Sequence, residues 1–265
     1  MPVSAPATDA RGPILELTKA PQASVLDMHL HTSVASSDSM LKPEKLMLLG
    51  PEAGLTGVNI TEHDKMWDPW ERAGFLERHA DVPFFVNFGM EVSTDLGHMG
   101  AIGLQSYIGG IRRAEALREA LDAVGGYLIV CHPFRHVFDE VTAMRTNGKP
   151  FDLTPEQAAE LPVFQLADAI EVANGCNTPR ENYFALEVAR VLGKPTTGGS
   201  DAHSESGIGY YATGFEREVN SAEELLTELH AGRFQAVLRK VGEPPGEEFV
   251  NFEQGAIEAV AAVAV

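Results

Sequence analysis

The chain has 265 residues, 38 of them acidic and 20 basic, for a formal net charge of −18. Such a balance repels nucleic-acid phosphates and excludes a broad nucleic-acid-binding face. With 44% hydrophobic and 22% charged residues it reads as an ordinary globular enzyme. Cys131 and Cys176 are too few for a disulfide framework and lack the paired spacing of a thiolate zinc site, so a reducing cytoplasm is expected. No run approaches the roughly 18 apolar residues of a membrane span, and the N-terminus lacks a charged-then-apolar leader.

In chain order, residues 1–23, with Pro2, Pro6, Pro13 and Pro21, read as an irregular arm. From Ser24 short apolar runs alternate with amphipathic stretches, the pattern of βα units and a parallel sheet. Strands are expected at Val25–His31, Gly57–Thr61, Phe84–Glu91, Met99–Leu104, Tyr127–His132, Ala169–Asn174, Pro195–Gly199 and Tyr210–Phe215. Helices are expected at Pro43–Ala53, Pro69–Ala80, Arg112–Val124, Arg180–Leu192 and Ser221–Ala231, the last opened by the capping-box pair Ser221 and Glu224. Residues 138–161 fit no simple βα unit and read as an insertion near the site. The folded unit is expected over 24–240, with 241–265 as a tail.

Polar residues gather at the strand ends. Six of nine histidines lie at or just beyond strand ends in company with carboxylates, and the ends themselves read Asp27-Met28-His29-Leu30-His31, Thr61-Glu62-His63-Asp64, Gly89-Met90-Glu91, Cys131-His132-Pro133, Glu171-Val172-Ala173-Asn174 and Gly199-Ser200-Asp201-Ala202-His203. Parallel β/α folds bind ligands at the C-terminal ends of their strands, so these groups converge on one pocket. Side chains alternate along a strand, so His29 and His31 share a side and can share one ion, and Asp201 and His203 pair likewise. Cys131 is turned from the side of His132 and is expected to be packed. Imidazole with carboxylate suits zinc, manganese or iron. Asp27 is placed either to accept the second ring N–H of a metal-bound histidine or to ligate directly. His79, His136 and His230 read as structural or lining residues.

In their order along residues 24–240, the Asp27-x-His29-x-His31, Thr61-Glu62-His63-Asp64, Gly89-Met90-Glu91, His132-Pro133 and Gly198-to-His203 motifs resemble the polymerase and histidinol phosphatase (PHP) domain of metal-dependent phosphoesterases. The resemblance implies an α/β fold, a distorted (β/α)7 barrel, holding two or three divalent metals. It implies one metal on His29, His31, Glu91 and Asp201, a second sharing Glu91 with His98 and His132, and a third on Asp38, His63 and His203. The family's "SDG" element reads Ser37-Asp38-Ser39 here.

A phosphate ester resists hydroxide because both are anionic, so a catalyst must lower the pKa of water and neutralise the phosphoryl oxygens. A metal-bridging hydroxide is the expected nucleophile, with Glu91 setting the metal spacing and Asp201 and His203 completing the catalytic set. Arg135 is the expected phosphate clamp, since its guanidinium fork matches phosphate, with a surface pair to Asp139 as the alternative. Asn174 is expected to orient substrate or water. The expected partner is a small phosphorylated substrate, a phosphate monoester or nucleotide, with no membrane and with oligomeric state left open. Histidinol-phosphate phosphatase is the alternative within the family. A non-phosphatase metal hydrolase or a non-catalytic metal-binding regulatory domain is the alternative outside it.

Overall fold

A computed structural model of the chain describes residues 22–139, 142, 149–240 and 249–253. Its elements run β1 (Ser24–Leu30), α1 (Pro43–Glu52), β2 (Gly57–His63), α2 (Pro69–Arg78), β3 (Phe85–Thr94), β4 (Gly97–Ile102), α3 (Ala114–Asp122) and β5 (Tyr127–Val130). They continue through α4 (Pro155–Ala159), α5 (Pro162–Leu166), β6 (Ala169–Asn174), α6 (Pro179–Leu192), β7 (Thr196–Gly199), β8 (Tyr211–Phe215), α7 (Ala222–His230), β9 (Phe234–Arg239) and β10 (Phe249–Asn251). One mixed sheet holds every strand of the described residues, in the order β10-β9-β8-β1-β2-β3-β4-β5-β6-β7.

The sheet closes on itself. Strand β8 pairs with only the first half of β1, from Ser24 to Leu26. The second half is met by the chain leaving β7: Asp201 N donates to His29 O at 2.6 Å, and His31 N donates to Ala202 O at 3.0 Å. Strands β1 to β7 therefore form a seven-stranded ring, the expected distorted (β/α)7 barrel, with β8, β9 and β10 as an antiparallel extension. Gly199 makes this seam possible, because a Cβ there would lie 2.5 Å from His29 Cβ and 2.6 Å from His29 N. Asp27, fully buried, accepts from Ser200 N at 2.8 Å and His29 N at 3.3 Å and ties the two edges together.

The expected all-parallel sheet is corrected at β4, which runs antiparallel to both β3 and β5. Only Asp95 and Leu96 separate β3 from β4, too few for a parallel crossover, which needs about a dozen residues or more. The helices start where local chemistry dictates. Thr178 caps α6 and Glu181 returns the bond in a capping box, while Gly193 ends that helix in the left-handed region at φ 61°.

Alternation along β5 and β6 separates two packing layers. Leu128, Val130, Ile170 and Val172 face outward onto α3, α5 and α6, joining Leu117, Phe164 and Leu186. Ile129 and Ala169 face inward, where Leu26, Met28 and Ile102 meet Leu225 and Leu229 of α7. Glu171, two residues beyond Ala169, faces the same interior. The described part of the expected insertion packs on the main core: Ala158 and Ala159 are buried, and Phe151 rings against Phe134, Phe138 and Phe184. No helix of the described residues is long and apolar enough to cross a membrane.

Candidate metal centre

All nine residues expected as ligands meet at the end of the barrel where β1, β2, β3, β5 and β7 finish. Nε2 of His29 and Nε2 of His31 lie 3.2 Å apart. Both face Glu91 Oε2, at 3.5 and 3.4 Å, and Asp201 Oδ1, at 3.7 and 3.2 Å. The other oxygen of Glu91, Oε1, meets His98 Nδ1 at 2.8 Å and His132 Nε2 at 2.9 Å. A third group lies beside the first: His63 Nε2 is 3.3 Å from His203 Nε2 and 3.3 Å from Asp38 Oδ2, and His203 Nε2 is 3.5 Å from the same oxygen.

Backbone geometry aims two of these side chains. His132 and Asp201 both have positive φ, 28° and 53°, which costs strain for residues with a Cβ and recurs at functional sites. The left-handed residue at 132 brings its ring to Glu91 just after β5 has ended. Glu91 and His63 are register partners on adjacent parallel strands, and β3 and β4 pair so that Ser93 faces His98.

The donor set fits cations. Glu91 is buried, and its Oε2 accepts no hydrogen bond although Nε2 of His29 and His31 and Nδ1 of His63 all lie within 3.5 Å. Converging imidazole nitrogens around a carboxylate oxygen left without a donor suit an ion that accepts electron pairs from all of them. Charge tells the same story. Burial pushes the Glu91 carboxyl up, but the neighbouring His29, His132 and His63 outweigh it and hold it well below the usual range. Burial pushes His31 down to about 4, reinforced by the charges of His29 and His63 and opposed by Asp201 and Glu91, which favours the neutral ring with one nitrogen lone pair to offer a cation. Burial also opposes charge on His29, yet Glu171, Asp201 and Glu91 together hold its pKa well above ordinary.

Around the cluster, several expectations need correction. Asp27 does not reach an imidazole; its oxygens accept backbone N–H groups at the barrel seam. Glu171 takes that role, with Oε1 3.0 Å from His29 Nδ1 while Oε2 accepts from His132 N and Asn174 Nδ2 at 2.8 and 3.0 Å. Asn174 is fully buried and its amide is engaged throughout: Nδ2 donates to Glu171 and Asp201, and Oδ1 accepts from Arg135 and Cys176 N. It therefore cannot touch substrate without breaking this network. Arg135 pairs with Asp201 and bonds Asn174 and Asn177, whereas Asp139 pairs with His136. Among the described residues its Nη1 makes no hydrogen bond.

Two buried carboxylates have roles that the sequence reading did not assign. Glu62 accepts from Thr32 N at 3.1 Å, Thr32 Oγ1, Ser36 Oγ and Trp67 Nε1 at 2.7 Å, pinning the loop that carries Asp38. Glu181 accepts from His136 N at 2.6 Å and fixes the Arg135 turn against α6. Cys131 is buried and packed as expected, its thiol pushed up to about 12 by burial.

A family model described as PHP-associated matches residues 179–234, which span α6, β7, β8, α7 and the start of β9. A two-domain protein from Bacteroides vulgatus containing a predicted PHP-like metal-dependent phosphoesterase aligns with 85% of this chain and 69% of its own, at 18% identity and a TM-score of 0.55. The chain has the PHP fold. PsfC from Pseudomonas syringae shares the architecture, at a TM-score of 0.56 and 17% identity over 82% of this chain and 92% of that one. No curated protein matches the sequence. Within the PHP fold the nine converging ligand candidates occupy the C-terminal mouth of the barrel, where β/α barrels place their sites.

Proposed function

We propose that the chain is a metal-dependent phosphoesterase that hydrolyses a small phosphate monoester or nucleotide phosphate. The observation that carries this reading is Glu91, whose two oxygens each face a separate group of imidazoles from deep within the barrel mouth. His29, His31, Glu91 and Asp201 would hold one divalent cation, Glu91, His98 and His132 a second, and Asp38, His63 and His203 a third. Zinc, manganese and iron all suit these donors, and when bound they supply positive charge and Lewis acidity at the phosphoryl group.

The chain's own residues supply the rest. Arg135 is anchored by Asp201 and the two asparagines, and its remaining guanidinium edge would grip phosphoryl oxygens. Asn174 and Glu171 position Arg135 and His29 and stay clear of substrate. Asp201 and His203 border the reacting centre from the same β7 end.

Phosphate release by the metal-loaded protein tests the reading. Glu91→Gln is expected to lower kcat by at least about a hundredfold, since one carboxylate serves two positions. Undiminished turnover in that variant at full metal occupancy would remove the bridging role. Arg135→Ala is expected to raise KM for phosphate esters about 10- to 100-fold, the worth of a charge-assisted bond, with little effect on uncharged esters. Equal effects on both ester classes would remove its phosphate role.

A further inference from the structure

Beside the cluster lies a cavity of about 320 Å³ that shares His98, His132 and Arg135 with it. Apart from His136, whose ring is paired with Asp139, its remaining walls are largely apolar: Leu96 from the β3–β4 turn, Pro133, Leu161 between α4 and α5, and Val163 and Phe164 of α5. Two larger cavities, of about 770 and 520 Å³, share no residue with the cluster. We propose that this cavity seats the leaving group of the substrate and selects an uncharged, mainly apolar group of one or two rings. The assignment rests on the phosphoesterase reading and specifies its substrate class.

Position, size and charge argue together. A phosphoryl group gripped by Arg135 next to His98 and His132 has its ester oxygen within reach of the cavity those same residues line. Its volume stands at the small end of the roughly 300–1,000 Å³ of ligand pockets, so it takes a compact group. No aspartate or glutamate is among its described lining residues, and the nearby Asp139 is already paired with His136 at 2.7 Å. A cationic leaving group would be desolvated there without a counter-charge, which is costly, whereas rings gain from burial against leucine and phenylalanine. Leu96 and Leu161 are 37% and 38% exposed, and both stand on this one cavity. A ring seated between them would remove that apolar surface from water.

The test uses the metal-loaded full chain with 1-naphthyl phosphate, glycerol 2-phosphate and a cationic amino-alcohol phosphate. Calorimetric binding of 1-naphthylmethylphosphonate and methylphosphonate supplies a readout apart from turnover. We expect kcat/KM for the naphthyl ester to exceed the other two by tenfold or more. Leu161→Asp and Leu96→Asp, both at exposed positions that tolerate a charge, should each weaken the naphthyl phosphonate about tenfold and leave methylphosphonate unmoved. Equal turnover of all three esters, preference for the cationic one, or binding insensitive to both variants would overturn the cavity assignment alone. No phosphate release from any ester would instead overturn the phosphoesterase reading and this assignment with it.

Discussion

Glu171 lies in a strand whose other residues, apart from Asn174, are apolar, and every residue of that strand is buried. A carboxylate in such surroundings is unfavourable unless it is hydrogen-bonded, and here its oxygens meet His29 Nδ1, His132 N and Asn174 Nδ2. Holding the far nitrogen of His29 fixes which nitrogen faces the cluster and raises its basicity. Glu171→Gln is therefore expected to weaken metal affinity about 10- to 100-fold while the protein stays folded, as followed by metal titration with circular dichroism. Unaltered affinity would reduce Glu171 to a packing role. At this scale the nine ligand candidates were legible because imidazoles and carboxylates recur at strand ends. The supporting roles of Glu171 and Glu62 were not, because most of the groups that engage them arrive from residues distant in the chain. Asp27 illustrates the error: its spacing from His29 suits a ring contact, but the bulge in β1 between Asp27 and Leu30 and the arriving Ser200 claim it for the seam.

The β1–β7 seam is the element on which the site depends, since it fixes His29 and His31 against Asp201. Gly199→Ala would press a methyl group into His29 and should cost about 1–3 kcal/mol, seen as a lowered midpoint in urea. A variant as stable as the wild type would show that the seam yields readily. Asp27 adds a pH dependence. Burial raises its pKa from 3.8 to about 6, so its contribution is fully present below pH 3.8 and is lost as pH rises through 6. Wild-type stability relative to Asp27→Asn should thus fall by about 3 kcal/mol between pH 3.5 and 7. A pH-independent difference would contradict this. Strands β1 to β8 were legible from apolar runs between turn residues, within one to three residues at most ends. Direction was harder, although the two-residue gap before β4 already forbids a parallel crossover. Strands β9 and β10 were missed because their pairing on β8 extends the sheet outside the ring that the βα rhythm describes.

Across the whole molecule the net charge of −18 and the cluster belong to one electrostatic problem. Glu91, Asp201 and Glu171 are buried within a few ångströms of one another's partners, and bound cations would offset their charge. Removing metal with a chelator should lower the melting temperature, because any ligand of the folded state alone stabilises it, by about 4 kcal/mol per site at a thousandfold excess over Kd. A melting temperature indifferent to chelation would mean the folded state binds no ion appreciably. The barrel itself was legible as a rhythm of strand and helix, whereas its closure depends on Gly199 and the buried Asp27, which no periodicity reveals.

Anomalous diffraction from crystals grown with manganese or zinc addresses the central claim most directly. Peaks are predicted on either side of the Glu91 carboxylate, one among His29, His31 and Asp201 and one between His98 and His132. An intact constellation with no anomalous density at either position would contradict the account.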